Sequence, residues 1–277
     1  MKTYIGNHAI FGKMLYAENG KIKLGVALDF GIRICYLSFK GSKNLFFEQP
    51  KNMTDLTTED GWRVYGGHRL WVAPESEKDY CPDNQPIFYE VIGDKILLSQ
   101  LEDKLLKVNK SIEISFEDEN VVKVVNKLQN TDQITRRFSV WGVTSMAGGG
   151  TQYISHRYGT MSYAPLTSIP IWFYTDLADD RAEYSPGKIK LTHRANSKKY
   201  KIGVGHPNAP VKYVNQGVCF EKIFDVFLDK QYPDHNVSYE TFMCDHMVEI
   251  ESLSPLYDVA PNQTISHTEL WRLTEKE

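Results

Sequence analysis

The chain has no apolar run approaching the roughly 18 residues of a membrane-spanning helix, which excludes a helical membrane protein. Its first residues, MKTYIGNHAIFGKM, lack the apolar stretch of a secretory signal, so the expected location is the cytoplasm. Cysteine is scarce. Cys35, Cys81, Cys219 and Cys244 stand apart, with no CxxC and no Cys/His spacing that suits a metal, and read as reduced, structural thiols. A net charge of −3 with interspersed signs gives no electrostatic case for nucleic acid or an anionic membrane surface. Nucleotide and acyl-transfer signatures are missing too: no Gly-Lys-Ser/Thr follows the glycines at 148–150, no GxGxxG opens a helix, and no GxSxG elbow occurs. His156, His193, His206, His235, His246 and His267 show no HExxH or other paired spacing. Neither a catalytic metal nor a cofactor is therefore expected.

A clean helical stripe is also lacking, whereas apolar and polar residues alternate at period two along nearly the whole sequence. That pattern predicts an all-β protein. The clearest hairpin is SIEISF (111–116) and VVKVVNKL (121–128), with the acidic EDEN between them as its turn. Further strands are legible at 22–28, 32–39, 87–91, 95–101, 136–146, 188–192, 211–215 and 217–228. So many strands exceed what one small barrel uses and predict two large, mostly antiparallel packed sheets. At 277 residues and 42% hydrophobic content, one domain spanning 1–277 is the expectation. The polar stretch Pro50 to Trp62 is expected to hold one helical turn, and Gly148 to Pro170 to be loop.

Three segments concentrate chemistry. In MVEIESLSPLYDVAPNQTISHTELWRL (247–273), strand alternation turns Val248 and Ile250 one way and Glu249 and Glu251 the other, two like charges about 7 Å apart. A pair placed so is either solvated or lines a site. In YGGHRLWVAPE (65–75), Gly66 and Gly67 permit close backbone approach, and an extended chain puts Arg69, Trp71 and Glu75 on one face and His68 and Leu70 on the other. An Arg beside an aromatic ring suits a sugar, since the guanidinium forks onto hydroxyls while the ring covers the apolar sugar face. The same residues would serve equally as an Arg69–Glu75 structural ion pair with Trp71 in the core. In RRFSVWGVTSMAGGG (136–150), Trp141 sits on a strand, where tryptophan is more often core than binding surface. The acidic patch of Asp176, Asp179 and Asp180 with Arg181 could bind a cation but reads rather as a solvated loop, and Lys198, Lys199 and Lys201 read as an exposed charge run, although Lys201 begins a strand and could project inward.

With these segments the chain resembles the galactose mutarotase-like superfamily, the aldose 1-epimerases and their relatives, and most of all an uncharacterised bacterial branch bearing GGHRLW. The resemblance implies a β-supersandwich whose concave face holds a sugar. It places Glu251 on the catalytic base and Arg69 on the sugar-binding arginine. It also brings a departure, because the middle strand of aldose epimerases carries a histidine that protonates the ring oxygen, and here Trp141 takes that position. An indole is no general acid at neutral pH.

The expected ligand is thus a small-molecule sugar or sugar derivative. Mutarotation needs a base at the anomeric hydroxyl and an acid at the ring oxygen. Glu251 is the expected base, with His68 a replacement acid; Arg69, Trp71, Trp141 and Glu249 are expected to contact the sugar. The alternative is a non-catalytic sugar-binding protein in which Trp141 replaces the acid and adds stacking surface. A third is a different enzyme on the same scaffold, acting on an acidic or modified sugar with Arg69 as carboxylate clamp.

Overall fold

The computed structural model describes residues 1–159, 163–196 and 198–275. In chain order its strands begin with β1 Lys2–His8, β2 Gly12–Glu18, β3 Ile22–Ala27, β4 Arg33–Phe39, β5 Gly67–Ala73, β6 Phe88–Ile92 and β7 Lys95–Ser99. The middle of the chain gives β8 Val108–Asp118, β9 Val121–Asn130, β10 Arg136–Ala147, β11 Thr151–Ser155, β12 Ala182–Ser185, β13 Lys188–Thr192 and β14 Tyr200–Val204. The last are β15 Val211–Asn215, β16 Val218–Phe224, β17 Tyr239–Met243, β18 Met247–Leu253, β19 Tyr257–Val259 and β20 Thr264–Glu275. They form two large antiparallel sheets. One runs β1-β2-β3-β4-β5-β10-β18-β17-β14, with β19 beside β10; the other runs β12-β13-β11-β15-β16-β20-β9-β8-β7-β6.

Period-two alternation explains how the sheets meet. On β9, Val122, Val124 and Leu128, like Asn126, are wholly buried while the odd-numbered residues between them are partly exposed. They pack with Ile112 and Ile114 of β8 and Trp271 and Leu273 of β20 against Leu70, Val72, Val140, Val248 and Ile250 of the first sheet. The first sheet is buried on its other face as well. There Trp71, Trp141, Val143, Met247 and Leu253 gather with Phe47, Trp62 and Val64 from the segment that runs over them. Burial on both faces is why β5 and β18 are continuously buried.

Three local expectations are corrected. The β8–β9 turn is shorter than EDEN, because a bulge between Phe116 and Asp118 lets Glu117 and Asp118 continue the strand, leaving Glu119 and Asn120 to turn. Residues 50–62 hold turns and no helix, since the buried Gln49 amide donates to the carbonyls of Met53 and Leu56 and to Thr57 Oγ1, fixing an irregular course. Short helical turns occur instead at Pro233–Asn236 and at Glu77–Tyr80, the latter opened by Asp79 accepting from the backbone N–H and hydroxyl of Ser76. The stretch 148–170 includes β11, which pairs with β13 and β15; its residues 160–162 lie outside the described residues.

Gly66 and Gly67 have φ of +106° and +72°, and a Cβ on them would meet the carbonyl oxygens of Phe47 at 1.9 Å and Ile34 at 2.2 Å. Only glycine fits that approach. It delivers the chain into β5 directly beneath the 47–64 segment.

Candidate functional site

The register of five neighbouring strands brings the site together. Arg69 of β5 lies opposite Val143 of β10, Val143 opposite Glu251 of β18, and Glu251 opposite Glu240 of β17. Two residues along, Ser145, Glu249, Phe242 and Lys201 of β14 form the next row, and Trp71 and Trp141 form a third. In antiparallel pairing, directly opposed residues share a face, so all of these project from one side of the sheet. There all but the buried Ser145 and Glu240 line a cavity of about 340 Å³, closed at its edges by Thr57, Trp62, Glu75, Tyr80 and Tyr174. Glu249, Glu251, Arg69, Trp71 and Trp141 thus share one cavity, at whose edge Glu75 stands, while Val248 and Ile250 enter the core.

Two cations organise the cavity. The Arg69 guanidinium lies over Trp71 at 4.0 Å and Trp62 at 5.2 Å, and pairs with Glu249 at 3.3 Å rather than with Glu75. Ser145 Oγ also donates to Glu249, at 2.9 Å. Lys201 Nζ sits among three carboxyls, 2.9 Å from Glu240, 3.5 Å from Glu251 and 3.8 Å from Glu75, and lies 4.8 Å from the Trp141 ring and 4.6 Å from the Trp172 ring. Tyr80 donates its hydroxyl to Glu75 and packs edge-on against Trp62 and Trp71. Several buried polar atoms of the wall have no protein partner: Nε and Nη1 of Arg69, Nε1 of Trp141 and Oε1 of Glu251. Buried groups of this kind are normally satisfied. Here they leave donors and an acceptor for a polar ligand.

The charges are out of their ordinary ranges for physical reasons. Burial raises the Glu251 carboxyl to about 7, against the pull of Lys201 and with help from Glu249 and Glu75. Glu240, also buried, is held well above the usual carboxylate range by the same loss of solvent despite Lys201. Burial works to strip the Lys201 proton, but Glu251, Glu240 and Glu75 outweigh it and hold the ammonium well above its ordinary value. A carboxyl poised near neutrality in a cavity can both take and return a proton.

His68 is a correction. It projects from β5 to the opposite side, into the space between the sheets, and is wholly buried. Its Nδ1 lies 2.9 Å from Thr144 Oγ1 and its Nε2 3.0 Å from Asn126 Oδ1, so no ligand in the cavity can reach it. The alternation along β5 that aims Arg69 and Trp71 at the cavity is the reason. Burial lowers His68 and His267 to about 4 each, so both stay neutral inside. Histidines whose folded pKa is depressed below about 6.5 contribute stability that is present above that value and lost as pH falls through about 4. His68→Asn, which keeps a neutral polar side chain at that site, should therefore gain urea midpoint relative to wild type as pH falls from about 6.5 to about 4.

Glu240, Trp62, Tyr80 and Tyr174 carried no motif. The acidic patch at 176–181 is loop, as expected, though Arg181 and Asp179 form a buried pair at 2.7 Å within it. Among the described residues no group of His, Cys, Asp and Glu is placed to hold a metal ion.

No family model matches the chain, and no curated protein matches it. Solved structures do. A putative aldose 1-epimerase from Escherichia coli K12 superposes with a TM-score of 0.61 at 10% identity, over 99% of this chain and 100% of that one. A galactose mutarotase-like protein from Lactobacillus casei gives 0.61 at 10% identity, over 94% and 100%. The chain has the galactose mutarotase-like fold. A TPR-domain containing protein from Parabacteroides distasonis also matches, with a TM-score of 0.65 at 16% identity over 96% of this chain. This chain spans about half of that protein's length, covering 47% of it. Within the galactose mutarotase-like fold, the cavity lies on the face of the first sheet turned away from the second. No helix among the described residues is long and apolar enough to cross a membrane.

Proposed function

We propose that the cavity binds a sugar and interconverts its anomers, with Glu251 as the base. The observation that carries this reading is Glu251 itself: buried, bordering the cavity, with Oε1 free of protein partners and its proton affinity brought to about 7. The carboxylate takes the proton of the anomeric hydroxyl, the bond from the anomeric carbon to the ring oxygen breaks, and the ring oxygen takes a proton from the Lys201 ammonium, which recovers it when the ring recloses. Rotation about the adjacent carbon–carbon bond and reversal of these steps yield the other anomer. Arg69 supplies donors to hydroxyls, and the indoles of Trp62, Trp71 and Trp141 form the apolar wall.

Trp141 cannot give up a proton, but its unpartnered Nε1 can donate a hydrogen bond. Lys201, 3.5 Å from Glu251, is the proton donor beside the base; its raised proton affinity makes it a weak acid, and it acts mainly by stabilising negative charge that develops on the substrate oxygens. That weakness favours a second reading, sugar binding without turnover. NMR of anomer interconversion with a panel of aldoses separates the two. Rates above buffer for at least one sugar support catalysis; calorimetric binding with no acceleration supports the second reading; no binding of any sugar sinks both.

A further inference from the structure

Behind the cavity, wholly inside the molecule, lies a second set of charges that this chemistry does not use. Lys222 of β16 belongs to the second sheet, yet it reaches across the core to the first. Its Nζ donates to the carbonyl oxygens of Gly142 at 3.0 Å and Ile250 at 2.9 Å, and to Glu269 Oε1 at 3.2 Å. Three acceptors match the three donors of an ammonium. The two carbonyls belong to the peptides Gly142–Val143 and Ile250–Glu251, which carry the cavity floor. Glu269 is fixed in turn by Ser252 Oγ and by Trp271 Nε1, the latter at 2.7 Å. Gly142 is required for this packing, since a Cβ there would lie 2.1 Å from Glu269 Oε1. Both members of the pair are wholly buried.

A buried ion pair is often no more stabilising than apolar residues of the same volume, so stability alone does not account for one placed here. We propose that Lys222 and Glu269 are a positioning pair for Glu251: Lys222 pins the Ile250–Glu251 peptide and sets a positive charge behind the carboxyl, while Glu269 balances that charge. Its consequence for turnover rests on Glu251 being the proposed base, but its electrostatic effect is readable in the free protein. The groups facing Glu251 on the cavity side are Lys201 from β14, Glu240 from β17, Glu249 from its own strand, Arg69 from β5, Glu75 beyond β5 and Tyr174. From the interior come Tyr239 of β17, Lys222 and, around Lys222, Glu269, His68 and His267. Burial lowers the Lys222 ammonium against the pull of Glu269, Lys222 holds Glu269 at about 2 despite burial, and burial holds both histidines at about 4.

The test is a ¹³C NMR titration of the Glu251 side chain in the full-length protein and in Lys222→Met and Glu269→Gln. Removing the cation is expected to raise the Glu251 midpoint, and removing the anion to lower it, each by about one pH unit. Shifts of opposite sign are what lost packing alone would not produce. If Lys222→Met does not fold, the downward shift in Glu269→Gln decides by itself. A midpoint unmoved in Glu269→Gln, or moved the same way in both variants, overturns the role. Wild-type anomer interconversion is read separately, so its absence sinks the proposed reaction and leaves the titration result standing.

Discussion

Glu251→Gln is expected to slow anomer interconversion by about 10²–10⁴-fold, the usual contribution of a positioned general base. The amide keeps the carboxyl's shape and an oxygen for Lys201, so sugar affinity by calorimetry should change little. Stability provides an internal control with a definite sign. A carboxyl whose folded pKa is raised from 4.5 to about 7 contributes stability that is present below about 4.5 and lost as pH rises through about 7. The variant lacks that loss. It should therefore be at least as stable as wild type at pH 8, which separates a chemical defect from a folding defect. The wild-type rate should rise with pH through about 7 as Glu251 ionises, and a rate independent of pH over that range, or one retained in Glu251→Gln, would remove Glu251 from the reaction.

The parts of the site legible in the sequence are those that depend on alternation within one strand. Glu249 and Glu251 share a face because they are two apart, and so do Arg69 and Trp71. The same rule put His68 on the other face, where it is found. Its expected role failed because facing away from Arg69 means entering the space between the sheets, and no rule within one strand says which face a cavity occupies. What was not legible depends on register between strands distant in sequence. Lys201 meets Glu251 only because β14 pairs with β17 and β17 with β18, across fifty residues of chain. Glu240 stands opposite Glu251 through a pairing that nothing in YETFM announces. Trp141 carried both properties at once: it is buried, as a strand tryptophan usually is, and it also lines the cavity. Burial and binding are not alternatives in a sheet covered on both faces.

Lys201→Met is expected to destabilise the protein by about 3–5 kcal/mol near pH 8, the usual effect of removing one member of a buried charged cluster. Methionine fills nearly the same volume, so the loss is electrostatic rather than a cavity term. Without the ammonium, Glu240 and Glu251 have no cation within salt-bridge distance among the described residues, and both become harder to ionise. The sign follows from that rise. Both carboxyls already bind protons more tightly in the folded chain than in the unfolded one, and the substitution widens the difference. Their contribution is then present below about 4.5 and lost more steeply as pH rises, so the deficit against wild type should be small near pH 5 and grow towards pH 8. Thermal midpoints at those two values check it. The same change should carry the pH–rate profile upward, because Glu251 would stay protonated at neutral pH and no longer serve as a base. A deficit equal at both pH values would mean that Lys201 acts by packing on Trp141 and Trp172 and not by neutralising the carboxyls around it.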